Sequence, residues 1–145
     1  HEAILAFDEL RSRMEGNGKD ILVQEMIRGT RELVAGMTRD PQFGPCVMFG
    51  LGGIFTEILE DTVFRVAPIE RVDALEMMNE IRGNKILGAV RGMPAANLEK
   101  LAEILVSVGR IGMENDAIQE IDMNPVVLSG SEPVVVDALV VLKGS

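Results

Sequence analysis

The run Glu120-Ile121-Asp122-Met123-Asn124-Pro125, followed after a turn by Val134-Val135-Val136-Asp137, gathers the side chains best suited to chemistry. Side chains alternate faces along a strand, so Glu120, Asp122 and Asn124 point one way while Ile121 and Met123 point the other. Ser129-Gly130-Ser131 offers a reversal that brings Asp137 back beside that face. Pro125 has no amide hydrogen and is expected to end the ladder. Magnesium takes hard oxygen ligands, commonly one or two carboxylates completed by phosphate oxygens and water, and this constellation supplies the protein's share. A half-exposed strand with a solvated polar face would show the same alternation. Asp137, set between Val136 and Ala138 in an apolar strand, weighs against that plainer reading, because an unpartnered carboxylate there is costly.

Three further segments carry weaker signals. Val23-Gln24-Glu25-Met26, before a glycine turn, could offer backbone groups to an adenine edge and a carboxylate to a ribose, although most such tetrapeptides are plain strand ends. Gly50-Leu51-Gly52-Gly53 suits either a close backbone approach to a ligand or a tight turn. It lacks the Gly-Lys-Ser/Thr of a phosphate loop and the third spaced glycine of a dinucleotide fingerprint. Arg39-Asp40 and Arg65 are candidates for phosphate contacts or for salt bridges. Cys46 lies in the apolar run Cys46-Val47-Met48-Phe49, and the one histidine is His1, so an inert buried thiol is expected rather than a catalytic Cys/His pair.

These residues need elements to hold them. Residues 2–14 have amphipathic helical spacing, with Ile4, Leu5, Leu10 and Met14 near one face. After a polar turn at 15–20, residues 21–27 and 32–38 read as two strands of an antiparallel hairpin. Residues 40–45 hold two prolines and a glycine and are expected to be irregular. Short strands are predicted at 47–49, 54–59 and 62–67, and helices at 69–81 and 97–113, the second with Leu98, Leu101, Ile104, Leu105 and Val108 on one side. Strands at 117–123, 126–128 and 133–141 close the sheet. The expectation is a single α/β (α+β) domain over residues 1–145.

With 145 residues and 47% apolar content, the chain can bury a substantial core. A net charge of −9 argues against nucleic-acid or anionic-membrane surfaces, which work through clustered positive charge. No apolar run approaches the ~20 residues of a membrane span. A lone cysteine fits a reducing cytoplasm. A helix starting at His1 rather than at a methionine suggests a piece of a larger protein.

Together these segments resemble the ATP-grasp part of the ADP-forming acyl-CoA synthetases, including acetate-CoA ligases and members fused to acetyltransferases. The matching stretches, in the family's order, are Val23-Gln24-Glu25-Met26, Arg31-Glu32-Leu33-Val34-Ala35-Gly36, Arg39-Asp40-Pro41-Gln42-Phe43-Gly44-Pro45, Gly50-Leu51-Gly52-Gly53-Ile54-Phe55-Thr56-Glu57, Phe64-Arg65-Val66-Ala67-Pro68 and Glu120-Ile121-Asp122-Met123-Asn124-Pro125. The resemblance implies an ATP-grasp C-terminal lobe, a mostly antiparallel sheet flanked by helices. It implies a ligase reaction, acyl-CoA + ADP + phosphate to acid + CoA + ATP, running through an acyl phosphate and a phosphohistidine. Gln24, Glu25 and Met26 resemble the linker that receives adenine and ribose, and Asn124 with Asp137 the pair that holds Mg²⁺ on ATP or ADP. Asp122 matches an acidic position that orients the phosphohistidine, while Glu120, Glu32 and Arg39 fall near the phosphates. Expected partners are the upstream ATP-grasp lobe and the CoA-binding and phosphohistidine domains, in an oligomeric, cytoplasmic full protein in which this piece alone is inactive. Two neighbouring alternatives are a succinyl-CoA synthetase β-type domain, which shares the Asn-Pro and later Asp arrangement, and a non-catalytic nucleotide-sensing module of an acetyltransferase.

Overall fold

A computed structural model of the chain describes residues 2–13, 21–53 and 61–144. Helix α1 spans Glu2–Arg13 and is exposed along its length. The sheet is built from β1 (Glu32–Asp40), β2 (Gly44–Leu51), β3 (Thr62–Val66), β4 (Ile118–Ser129), β5 (Glu132–Val135) and β6 (Leu139–Leu142). Its order is β3-β2-β1-β4-β5, with β6 also on β4, and its pairings are antiparallel. Helices α2 (Arg71–Glu80) and α3 (Leu98–Glu114) stand between β3 and β4 in sequence, separated by a short 3₁₀ turn at Asn84–Leu87.

Parity decides the layers. On β1 the odd-numbered Leu33, Ala35 and Met37 face the helices, joined by Val47 and Phe49 of β2 and Ile121 and Met123 of β4. Ala74, Met77 and Met78 of α2 and Leu101, Leu105 and Val108 of α3 close this core from above. Burying a Phe or Leu completely is worth about 1.5–3 kcal/mol, so Phe49 and Leu105, both wholly buried, anchor the two layers. Gly109 and Gly112 let α3 lie close on the sheet: a β-carbon at Gly112 would stand 3.0 Å from Met37 Cε and from Pro45 Cβ. Leu98, expected on the packed side of α3, is more than a third exposed at the first turn.

Several expectations change. Residues 21–29 form no strand, because β1 already has β2 on one edge and β4 on the other and leaves no edge for a third partner. The hairpin is instead β1–β2, with its tight turn at residues 41–43, so that of the stretch 40–45 the ends are already in the ladder: Arg39 pairs with Pro45 and Asp40 with Gly44. The Asp40 carboxylate accepts from the amides of Gln42 (2.7 Å) and Phe43 (2.9 Å), and Gly44 takes φ +79°, the left-handed value such a turn requires. Pro125 does not end its strand. The β1–β4 register shifts between Leu33 and Ala35, so the missing amide of Pro125 falls at an irregularity rather than in the ladder. The expected strand 133–141 breaks into β5 and β6 at residues 136–138. The predicted turn at 15–20 and strand at 54–59 lie outside the described residues.

Candidate functional site

The even-numbered residues of β1 point to the face away from the helices, and the registers carry that parity across the sheet. One row reads Phe64, Met48, Gly36, Asp122, Leu139; the next reads Val66, Cys46, Thr38, Glu120, Val141. Here a cleft of about 220 Å³ opens, with Glu120, Asp122 and Asn124 among its walls, as their alternation on β4 requires. Thr38, Met48, Thr62 and Phe64 line it too. Residue type alone does not mark these four; the strand register is what brings positions 38, 48 and 64 beside 120 and 122.

The break between β5 and β6 places the remaining ligand candidate. Val126 pairs with Val135 and Asp122 with Leu139, so the register is the same on both sides of the gap and Asn124 falls opposite Asp137. Val136 still donates to the Pro125 carbonyl at 3.1 Å, which keeps the two segments abreast. Asp137 is therefore not a carboxylate strained inside an apolar strand. It is exposed, and one of its oxygens accepts from the Ala138 amide at 2.9 Å. Asn124 and Asp137 are both exposed and carry oxygen atoms of the kind magnesium takes when phosphate oxygens and water complete its shell. Among the described residues no group of three or more His, Cys, Asp and Glu forms an all-protein metal cage.

Other candidates are placed differently. Glu32 shares the cleft's face at the start of β1, and its carboxylate lies against Gly53, where a β-carbon would stand 2.5 Å from Oε2. Gly52 presses on β1, donating to the Glu32 carbonyl at 2.8 Å. Gly52 and Gly53 therefore pack closely on β1, while Gly50 packs on the start of β3, where a β-carbon would stand 2.5 Å from the Asp61 carbonyl oxygen. Gln24, Glu25 and Met26 are exposed on the irregular stretch leading into β1 and are not among the cleft's lining residues.

Arg39 stands apart from the other candidates and pairs with Asp116 at 3.7 Å. Its odd parity turns it to the helix face, where Nε donates to the Ile118 carbonyl (2.9 Å) and Nη2 to those of Gly112 (2.7 Å) and Asn115 (3.1 Å). It fastens the end of α3 to the start of β4 and is not beside the cleft. Arg65 forms an ion pair with Glu80 of α2, so of its two readings the salt bridge holds. Burial, with Asp40 adding to it, pushes the Cys46 thiol up from its ordinary value, which suits an inert side chain.

The sequence pattern of the ATP-grasp domain matches residues 1–142. The chain belongs to the ATP-grasp family. Among curated relatives of this ATP-grasp chain, the acetate-CoA ligase [ADP-forming] I subunit beta of Pyrococcus furiosus is 50% identical over 122 residues, 84% of this chain and 53% of that subunit. The acetate-CoA ligase [ADP-forming] I of Archaeoglobus fulgidus is 42% identical over 142 residues, 94% of this chain and 21% of that protein. The chain thus spans about half the length of the first relative and a fifth of the second. Among solved structures, an acetyl-coenzyme A synthetase 1 of Ca. Korarchaeum cryptofilum superimposes with a TM-score of 0.88 at 43% identity, covering 98% of this chain and 63% of that one. That protein was solved with coenzyme A and Mg-AMPPCP, its phosphohistidine segment pointing towards the nucleotide binding site. No described helix is long and apolar enough to cross a membrane.

Proposed function

We propose that this ATP-grasp chain is the nucleotide- and magnesium-binding lobe of an ADP-forming acyl-CoA synthetase, acting within a larger cytoplasmic assembly that supplies the upstream lobe, the CoA-binding part and a phosphorylated histidine. The observation that supports this reading is Glu120, Asp122 and Asn124 together on the walls of one cleft, with Asn124 at the register position opposite the exposed Asp137. A longer relative holding Mg-AMPPCP supports it.

In this reading Asn124 and Asp137 hold the metal, which when bound neutralises charge on the nucleotide phosphates. Asp122 accepts a hydrogen bond from the N–H of the incoming imidazole. The N–P bond of phosphohistidine breaks, its electron pair stays on the ring nitrogen, and a terminal oxygen of ADP forms the new O–P bond. Glu120 and Glu32 flank this path, and Gln24, Glu25 and Met26 receive adenine and ribose. Among the described residues no Lys or Arg lines the cleft, and in this reading the larger protein supplies the cations that steady the phosphates.

Calorimetric titration of Mg-ADP and Mg-ATP into the full-length protein tests the reading. Metal-dependent binding, weakened at least about tenfold in both Asn124→Ala and Asp137→Ala, is expected, since losing a metal-ligand contact costs about 1.4 kcal/mol or more. Unchanged affinity in both variants sinks it.

A further inference from the structure

We propose that Phe64, together with Met48, is a positioning residue that receives the histidine-bearing segment edge-on against Asp122; this rests on the functional reading above and specifies how its partner is recognised. Across the open face the order Phe64, Met48, Gly36, Asp122 puts an apolar flank on one side of a glycine and a carboxylate on the other. Gly36 presents no side chain, and a β-carbon there would run into the Ile121 carbonyl oxygen, so the gap cannot be filled from below. Met48 and Asp122 are two strands apart, which at ~4.8 Å per strand leaves a trough roughly 9–10 Å across between their backbones.

The trough's chemistry selects its occupant. Glu120 and Asp122 stand along one flank and, among the described residues, no Lys or Arg lines the cleft, so these give a free phosphate no countercharge at this spot. A flat ring with apolar carbons on one edge and an N–H donor on the other matches both flanks, and an imidazole is such a ring. Phe64 is 50% exposed, and the core lies on the opposite face, so packing among the described residues does not account for an aromatic side chain here. A ring held between Phe64 with Met48 and Asp122 has its orientation fixed before the phosphoryl group moves, which is where a positioning residue affects rate rather than nucleotide affinity.

The test uses the full-length protein and two readouts: calorimetric affinity for Mg-ADP, and rapid-quench transfer of radiolabelled phosphate from the histidine to ADP in a single turnover. Phe64→Ala is expected to slow transfer about tenfold to a hundredfold while Mg-ADP affinity and phosphorylation of the histidine from acyl phosphate stay within about twofold, and Phe64→Leu is expected to recover most of the rate. Mg-ADP affinity falling in step with transfer would make the nucleobase the occupant and overturn the proposal, as would unchanged transfer. A wild type that binds no Mg-ADP, or forms no phosphohistidine, overturns the functional reading itself and this proposal with it.

Discussion

Arg31 shows how a single side chain conditions the site without entering it. It is 3% exposed, immediately precedes Glu32, and donates from Nη1 to the carbonyls of Ile86 (3.0 Å) and Gly88 (3.2 Å) and from Nη2 to those of Pro94 (2.8 Å) and Gly130 (2.7 Å). One guanidinium thus joins the loop after α2 to the β4–β5 turn at the root of β1. Arg31→Met strands those carbonyls and is expected to cost about 3 kcal/mol, lowering the melting temperature by roughly 6–12 °C, with Arg31→Lys recovering only part because an ammonium lacks the planar fork. A thermal scan showing a shift under about 2 °C would mean the loops hold without it. Neither Arg31 nor Asp61, whose carboxylate accepts from the amides of Arg82 and Gly83 at 2.7 Å each, stood out in the sequence. Their partners lie far along the chain and are backbone groups, which leave no mark on residue type. The alternation of Glu120, Asp122 and Asn124 was legible because it is a local property of one strand, and the same parity, applied to β1, separates Arg39 from Glu32 and Thr38.

Helices, and strands of clear alternation, were readable from periodicity, whereas pairing was not. Residues 21–27 and 32–38 make as good a hairpin on paper as residues 32–51 do; what decides is that β4, some eighty residues later, takes the second edge of β1. The break at 136–138 was equally hidden, since Val134-Val135-Val136 reads as unbroken strand, and only its position against Asn124-Pro125 exposes Asp137. The start of α3 shows a signal of the legible kind. Asn97 caps it, its Oδ1 accepting from the Lys100 amide at 3.2 Å, while its Nδ2 donates to Glu132 at 3.2 Å and its backbone amide to the Ser131 carbonyl at 2.7 Å. It therefore ties the helix to the β4–β5 turn as well as satisfying a free amide. Asn97→Ser keeps the cap and should cost little; Asn97→Ala should cost about 1 kcal/mol, and Asn97→Asp should do worse than its capping ability suggests because it sets a second carboxylate against Glu132. Urea unfolding that ranks Ala level with Asn would remove the cap from the account.

At the scale of the molecule the telling quantity is surface. The chain exposes 9776 Å², whereas a compact protein of 15.8 kDa is expected to expose roughly 7,300 Å². The surplus is consistent with α1 and residues 22–26, exposed throughout, and with the open sheet face carrying Phe64, Val66 and Leu139, each about half exposed or more. Exposed apolar surface beside a cleft is often a contact surface, and in the function proposed above a second lobe of the larger protein closes over the nucleotide on this face. Hydroxyl-radical footprinting can tell whether it does. In the full-length protein with Mg-ADP, Met26, Met48 and Phe64 should oxidise several-fold more slowly than in the 145-residue chain alone, because lobe closure covers the stretch before β1 and the open face together. Protection of Met48 and Phe64 without Met26 would confine the second lobe to the sheet and remove the Gln24–Met26 stretch from the nucleotide site. Equal rates at all three positions would leave the surplus surface in solvent and break the two-lobe reading at its base.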